Sequence, residues 1–185
     1  MANATYSEIG AYNKQPENIN FLHNVKFKFN LRKLPHCNYF CKAVKLPAIG
    51  LGVAMQNTPF QALPVPGINI SYDELEIRFL VDEDMRNYFE IVSWLNGLGF
   101  PKDFTQYATL KNENTDLNQK FGGLWSDAII HVLTNASNPN INIIFRDAFP
   151  IYISPIEFFS DDQEATPIEA IAQFRYAYYD HEYVT

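Results

Sequence analysis

Apolar and polar residues alternate strictly from Val25 to Arg32, the period-two signature of a strand with one buried face. Leu34-Pro35-His36 closes that strand, and a second follows from Tyr39 to Lys45. The two runs are near enough in sequence to predict a hairpin. A third strand is predicted from Ile68 to Val81, with Leu75, Ile77, Phe79 and Val81 on one face and Glu74, Glu76 and Arg78 opposite. Its fourteen residues would reach about 46 Å, far beyond an ordinary strand. Asp82-Glu83-Asp84 then precedes a helix predicted from Met85 to Leu98, where Tyr88, Ile91, Val92 and Leu95 recur at helical spacing. Asp82 or Asp84 would cap its free N–H groups, and Gly97 and Gly99 would stop it. Further strands are predicted over Asp127–Thr134, Ile141–Phe145 and Ile168–Tyr179, with Ala148–Pro155 a separate extended piece. Residues 101–126 carry no assignable pattern. Residues 1–20 are polar and unpatterned, which makes them an N-terminal arm ahead of a single β domain over 21–185.

One segment fits neither strand nor loop. Residues 46–67 hold Pro47, Pro59, Pro64 and Pro66 with Gly50, Gly52 and Gly67, and also Ile49, Leu51, Val53, Met55, Phe60, Leu63 and Val65. Proline blocks pairing in a central strand, yet this stretch is too apolar for a solvated loop. It is expected to pack against something, and a partner subunit would supply that surface.

Composition narrows the classes. The 185 residues are 47% hydrophobic and only 19% charged, which excludes wholesale disorder. Aromatic residues make up 15%, a share that suits strands and interfaces. The formal net charge of −7 lacks the basic footprint of a nucleic-acid binder. Met1–Gly10 has neither the basic start nor the apolar core of a secretory signal, and no apolar run is long enough to span a bilayer. Two cysteines make no disulfide framework, so a reducing cytoplasm is the expected place of synthesis.

Catalytic and ligand-binding chemistry finds little support. His36, Cys37 and Cys41 lack a fourth zinc ligand and are expected to be packed residues. Asp82-Glu83-Asp84 lacks the spaced oxygens and central glycine of a calcium loop. Ser93, Ser126 and Ser154 lie in no nucleophile-elbow context, and Gly122-Gly123 is followed by no Lys-Ser/Thr. The aromatic strand Phe174–Tyr179 resembles a base-stacking platform in composition, but the acidic charge opposes that use.

The order of the landmarks resembles the tail tube proteins of contractile-tailed bacteriophages and their relatives in contractile injection systems. The matching residues are Tyr39 or Phe40, Cys41, Lys42, Ala43 and Leu46-Pro47, then the excursion to Gly67. The strand ending in Asp82-Glu83-Asp84, Arg86, and the helix with Phe89 and Trp94 follow. The match resumes at Phe149-Pro150, Ser154, Phe158, Glu169-Ala170 and Phe174–Asp180. The resemblance implies a mainly β, sandwich- or barrel-like subunit with one flanking helix and long extended loops. It implies a non-enzymatic structural virion protein with no cofactor and no metal. Such subunits form hexameric rings that stack on one another, meet sheath and baseplate or neck proteins, and let genomic DNA pass. They are assembled in the host cytoplasm and do not contact membrane. Tube initiator, terminator and completion rings share the fold. On this basis the expected contacts between subunits are Leu46, Pro47, Phe60, Pro64, Pro66 and Gly67. The expected channel-lining acids are Glu74, Glu76, Asp161, Asp162 and Glu164, because an acidic lumen lets phosphate slide past. A monomeric carbohydrate- or ligand-binding β domain, with a concave aromatic site, is the reading from another class, and an enzyme ranks third.

Overall fold

A computed structural model describes residues 21–112, 122–159 and 166–184. The arm expected over 1–20, residues 113–121 of the unassigned stretch, and the expected channel-lining acids Asp161, Asp162 and Glu164 lie outside the described residues.

The chain is mainly antiparallel β. In order it forms β1 (Phe27–Leu31), α1 (Pro35–Tyr39), β2 (Cys41–Lys45), β3 (Ile49–Asn57), β4 (Ala62–Tyr72), β5 (Leu75–Leu80) and α2 (Arg86–Gly99). Then come α3 (Phe104–Asn112), a short 3-10 turn (Gly122–Leu124), β6 (Ser126–Leu133), β7 (Pro139–Ile153), β8 (Glu169–Arg175) and β9 (Tyr178–Tyr183). Seven strands run β1-β6-β7-β8-β5-β2, with β9 added to β7, and β3-β4 stand apart as a two-stranded sheet.

Strand β7 joins the two halves of the large sheet. Its first part, Ile141–Arg146, lies between β6 and β9, while Phe149–Ile153 pairs with β8. The direction changes at Asp147, whose φ of 56° is left-handed. Its amide bonds the Asp127 carboxylate, and that carboxylate also holds Arg146 at 2.8 Å. Opposite the bend, the Ala177 amide bonds the Arg146 carbonyl and bridges the break between β8 and β9. The piece expected to end at Phe145 and the piece expected from Ala148 are therefore one strand, and the last predicted strand is two.

Alternation decides which side chains enter the core. Leu75, Ile77 and Phe79 of β5 are fully buried, as are Ala170, Ala172 and Phe174 of β8. Phe29, Leu31, Ala128, Ile130 and Phe145 come from the other half-sheet, and Ile91 and Trp94 of α2 join the same cluster. The Trp94 indole N–H bonds the Leu124 carbonyl, so the buried ring keeps its polar atom satisfied.

Several expectations are corrected. β1 and β2 form no hairpin: β1 pairs with β6 and β2 with β5, and α1 connects them. Pro35 begins α1 at a position where its missing N–H costs nothing, and Asn38 bonds back to Leu34. The Asn38 side chain accepts from the Leu31 amide at 2.8 Å and donates to the Leu31 carbonyl at 2.9 Å, so it stands in for a neighbouring strand at the end of β1. The third predicted strand breaks at Asp73-Glu74, so its first half leaves the sheet in β4 and its second half stays as β5. No aspartate caps α2. Met85 holds the N-cap in a left-handed conformation, and Asp84 instead pairs with Arg86 at 3.0 Å on the surface. Fully buried Asn87 organises the helix entry, donating to the Leu80 carbonyl at 2.7 Å and accepting from the Asp82 amide at 3.2 Å. Gly97 lies inside α2, where an added Cβ would come within 2.8 Å of the Leu110 side chain; it permits close packing of α3, which the sequence did not signal. Phe100 ends α2, bonding the Asn96 carbonyl from its left-handed conformation.

Candidate assembly surface

Hairpin β3-β4 is the largest feature that the core does not explain. Each residue of β3 is exposed, and nearly all of β4 is. The 24 residues from Ile49 to Tyr72 contain no Asp, Glu, Lys, Arg or His, in a chain that is 19% charged. An isolated two-stranded hairpin is marginal in water, and exposed edges in natural proteins are usually guarded by charge. β3 alone extends about 30 Å at the usual rise.

Alternation gives the hairpin two unlike faces. Ile49, Leu51, Val53 and Met55 share one face with their cross-strand partners Tyr72, Ile70, Pro66 and Pro64. Gly50, Gly52, Ala54 and Gln56 lie on the other. Halfway along, Gly52 stands opposite Gly67, Ile68 and Asn69, because the register shifts between Leu51 and Val53. The bulge needs glycine: a Cβ on Gly67 would lie 2.5 Å from the Gly52 carbonyl oxygen. It turns Ile68 outward to 95% exposure, and Phe60 in the end turn is 97% exposed.

The base of the hairpin is held by aromatic rings. Tyr72 packs against Tyr176 at 5.8 Å and Tyr179 at 5.9 Å, and Phe145 lies 5.0 and 5.2 Å from the same two rings. Burial and the neighbouring Tyr179 push the Tyr176 hydroxyl up to about 12. Its oxygen is buried without a hydrogen-bond partner among the described residues.

The residues expected at subunit contacts divide. Leu46, Phe60, Pro64 and Pro66 are exposed, and Gly67 is half-buried in the bulge. Pro47 is buried in its own chain and cannot face a partner without rearrangement. Ile49, Leu51, Val53, Met55, Ile68 and Ile70 share the exposed hairpin and were not singled out as contacts. Their signal was the absence of charge along the segment. Glu74 lies just before β5 and Glu76 on its outer face; Arg175 meets Glu74 at 2.9 Å and Arg78 meets Glu76 at 3.6 Å. Lys42 pairs with Glu169 on the same side of the sheet, so this face is mixed in charge.

Elsewhere the chemistry is that of packed side chains. Cys37 is buried, and desolvation raises its thiol far above the ordinary range; the same cause pushes Cys41 up to about 11. Both thiols are therefore poor nucleophiles. Among the described residues no three His, Cys, Asp or Glu side chains gather as a metal site, and no helix is long and apolar enough to cross a membrane. A cleft of about 710 Å³ lies between α2 and α3, with Lys33, Arg86, Glu90, Trp94 and Thr109 in its mixed lining.

The fold is similar to that in a cryo-EM structure of the anti-feeding prophage tube-terminating cap. The TM-score is 0.59 with 11% identity, over 94% of this chain and 99% of that one. It is also similar to a chain of the sheath-tube complex of an extracellular contractile injection system, with a TM-score of 0.56 and 12% identity over 98% and 100% of the two chains. The family described as "Phage tail tube protein" matches residues 16–182, and the chain belongs to that family. A relative, the "Tail tube terminator protein" of Enterobacteria phage T4, is 25% identical over 159 residues, covering 80% of this chain and 84% of its own. The protein is thus a structural protein related to phage tail tubes.

Proposed function

We propose that the chain is a ring-forming subunit of a phage tail tube, in which six copies close a ring and rings stack around a channel for DNA. The observation that carries this is the hairpin: 24 uncharged residues held out from a complete core. Burying such a surface against another copy removes its apolar side chains from water, at about 25 cal/mol per Å². Membership in the tail tube family supports the same use. The free outer edge of β9, which pairs only with β7 among the described residues, supplies a strand against which a neighbour's hairpin can add. Head-to-tail contact of this kind closes rings when the rotation permits. The subunit then belongs to the virion tail, meets sheath and baseplate or neck proteins on the outside, and works by geometry without a catalytic step. Leu46, Phe60, Pro64, Pro66 and Gly67 fall at contacts between copies. Any acidic lining of the channel must draw on more than Glu74 and Glu76, whose charges Arg175 and Arg78 offset.

A terminator ring is the second reading, favoured by the T4 relative and by the similarity to the cap structure. Electron microscopy of the purified protein separates the two. Tubes of indefinite length support a tube subunit, single closed rings support a terminator, and monomers at every concentration and in the presence of tail partners overturn both.

A further inference from the structure

The two outer edges of the hairpin are not equivalent. The Thr58 amide bonds the Gln61 carbonyl, which makes Thr58 and Gln61 a hydrogen-bonded pair. Pairs alternate along an antiparallel ladder, so Asn57–Ala62, Met55–Pro64 and Val53–Pro66 are non-hydrogen-bonded pairs whose backbone groups point away from each other. At the base, the Asp73 amide bonds the Ala48 carbonyl, and the same alternation makes Ile49–Tyr72 and Leu51–Ile70 outward pairs. On β3 the outward positions are therefore Ile49, Leu51, Val53, Met55 and Asn57, an unbroken period-two row of N–H and C=O groups. On β4 they include Pro64 and Pro66, which have no N–H, and the Gly67–Asn69 bulge then interrupts the row.

We infer that strand addition between copies uses the β3 edge of the hairpin and that Pro64 and Pro66 guard the β4 edge against it. The inference rests on the ring-forming reading and adds a polarity to it. The occupant of the β3 edge is a second copy of this chain. The edge carries no charge to deter pairing, most of its outward side chains are apolar, and among the described residues β9 offers an unpaired edge on every copy. One sticky edge and one blocked edge on each hairpin make the contact directional, which favours closed rings over hairpin-to-hairpin aggregates. The prolines also lose no bond within the hairpin, because their nitrogens already face outward.

Two measurements on the full chain test this. In the first, amide hydrogen exchange is compared between assembled rings and the dissociated protein. Protection gained at Leu51, Val53 and Met55 by at least about tenfold, but not at Ala62, is expected; assembled rings whose β3 amides exchange as in the free chain would overturn the inference. In the second, Met55→Pro removes an outward N–H on β3 without removing a bond within the hairpin. It should abolish rings while the folded core keeps its circular dichroism, whereas Pro64→Val with Pro66→Val should still assemble. Rings from Met55→Pro, or loss of rings from the double β4 variant alone, would refute it. Rings that form with the wrong edge protected overturn the polarity alone; failure of the wild type to form rings overturns the ring reading beneath it.

Discussion

At the scale of single residues, Asn87 shows how a polar side chain is kept in an apolar core. It is fully buried, and its amide satisfies one donor and one acceptor at the loop between β5 and α2. Asn87→Ala leaves the Leu80 carbonyl and Asp82 amide unpaired, and a loss of about 1–3 kcal/mol is expected from chemical denaturation. Tyr176 is the opposite case, a hydroxyl buried without a partner among the described residues. Its folded pKa is raised to about 12, by desolvation first, above an ordinary value of 10.0. The folded state therefore holds its proton longer than the unfolded chain does. This contribution to stability is fully present below pH 10 and is lost as the pH rises from 10 toward 12. Tyr176→Phe should flatten that part of the stability profile and cost little at neutral pH, since it removes an unpaired polar atom while keeping the ring contacts with Phe145 and Tyr179. An unchanged profile in the variant would show that other groups govern the alkaline limb.

At the scale of elements, the hairpin is separable from the core. Phe60 touches little of its own chain, so Phe60→Asp should shift stability by no more than about 0.5 kcal/mol while preventing assembly. Sedimentation with thermal unfolding reads both outcomes, and normal tubes from this variant would remove Phe60 from the contact surface. Gly67 is less tolerant: Gly67→Val places a side chain against the Gly52 carbonyl, must open the bulge, and should reduce assembly through the hairpin's shape. The segment's patterning announced that it was apolar and stiffened by proline. That it pairs with itself was not apparent, because prolines at 64 and 66 argue against a strand until their nitrogens are seen to face outward. The break at Asp73-Glu74 leaves a mark that a single long strand passes over: two polar residues fall together, and the apolar positions shift from 68, 70 and 72 to 75, 77 and 79.

At the scale of the whole molecule, the family match and the fold agree on a structural protein related to phage tail tubes. Mixing the purified chain with preformed tails separates the readings: a tube subunit should lengthen tubes, while a terminator should bind once at an end and block further growth. The alternating faces of β1, β5, β6 and β8 and the helix over Phe89 and Trp94 were determined by the sequence. They follow from local periodicity and residue type. Which strands become neighbours was decided only by the tertiary structure: β1 beside β6, β2 beside β5, and β7 shared between two half-sheets. So was the hairpin's exclusion from the core. Pairing partners far apart in sequence are selected by the burial of one common core, and no local pattern encodes that competition.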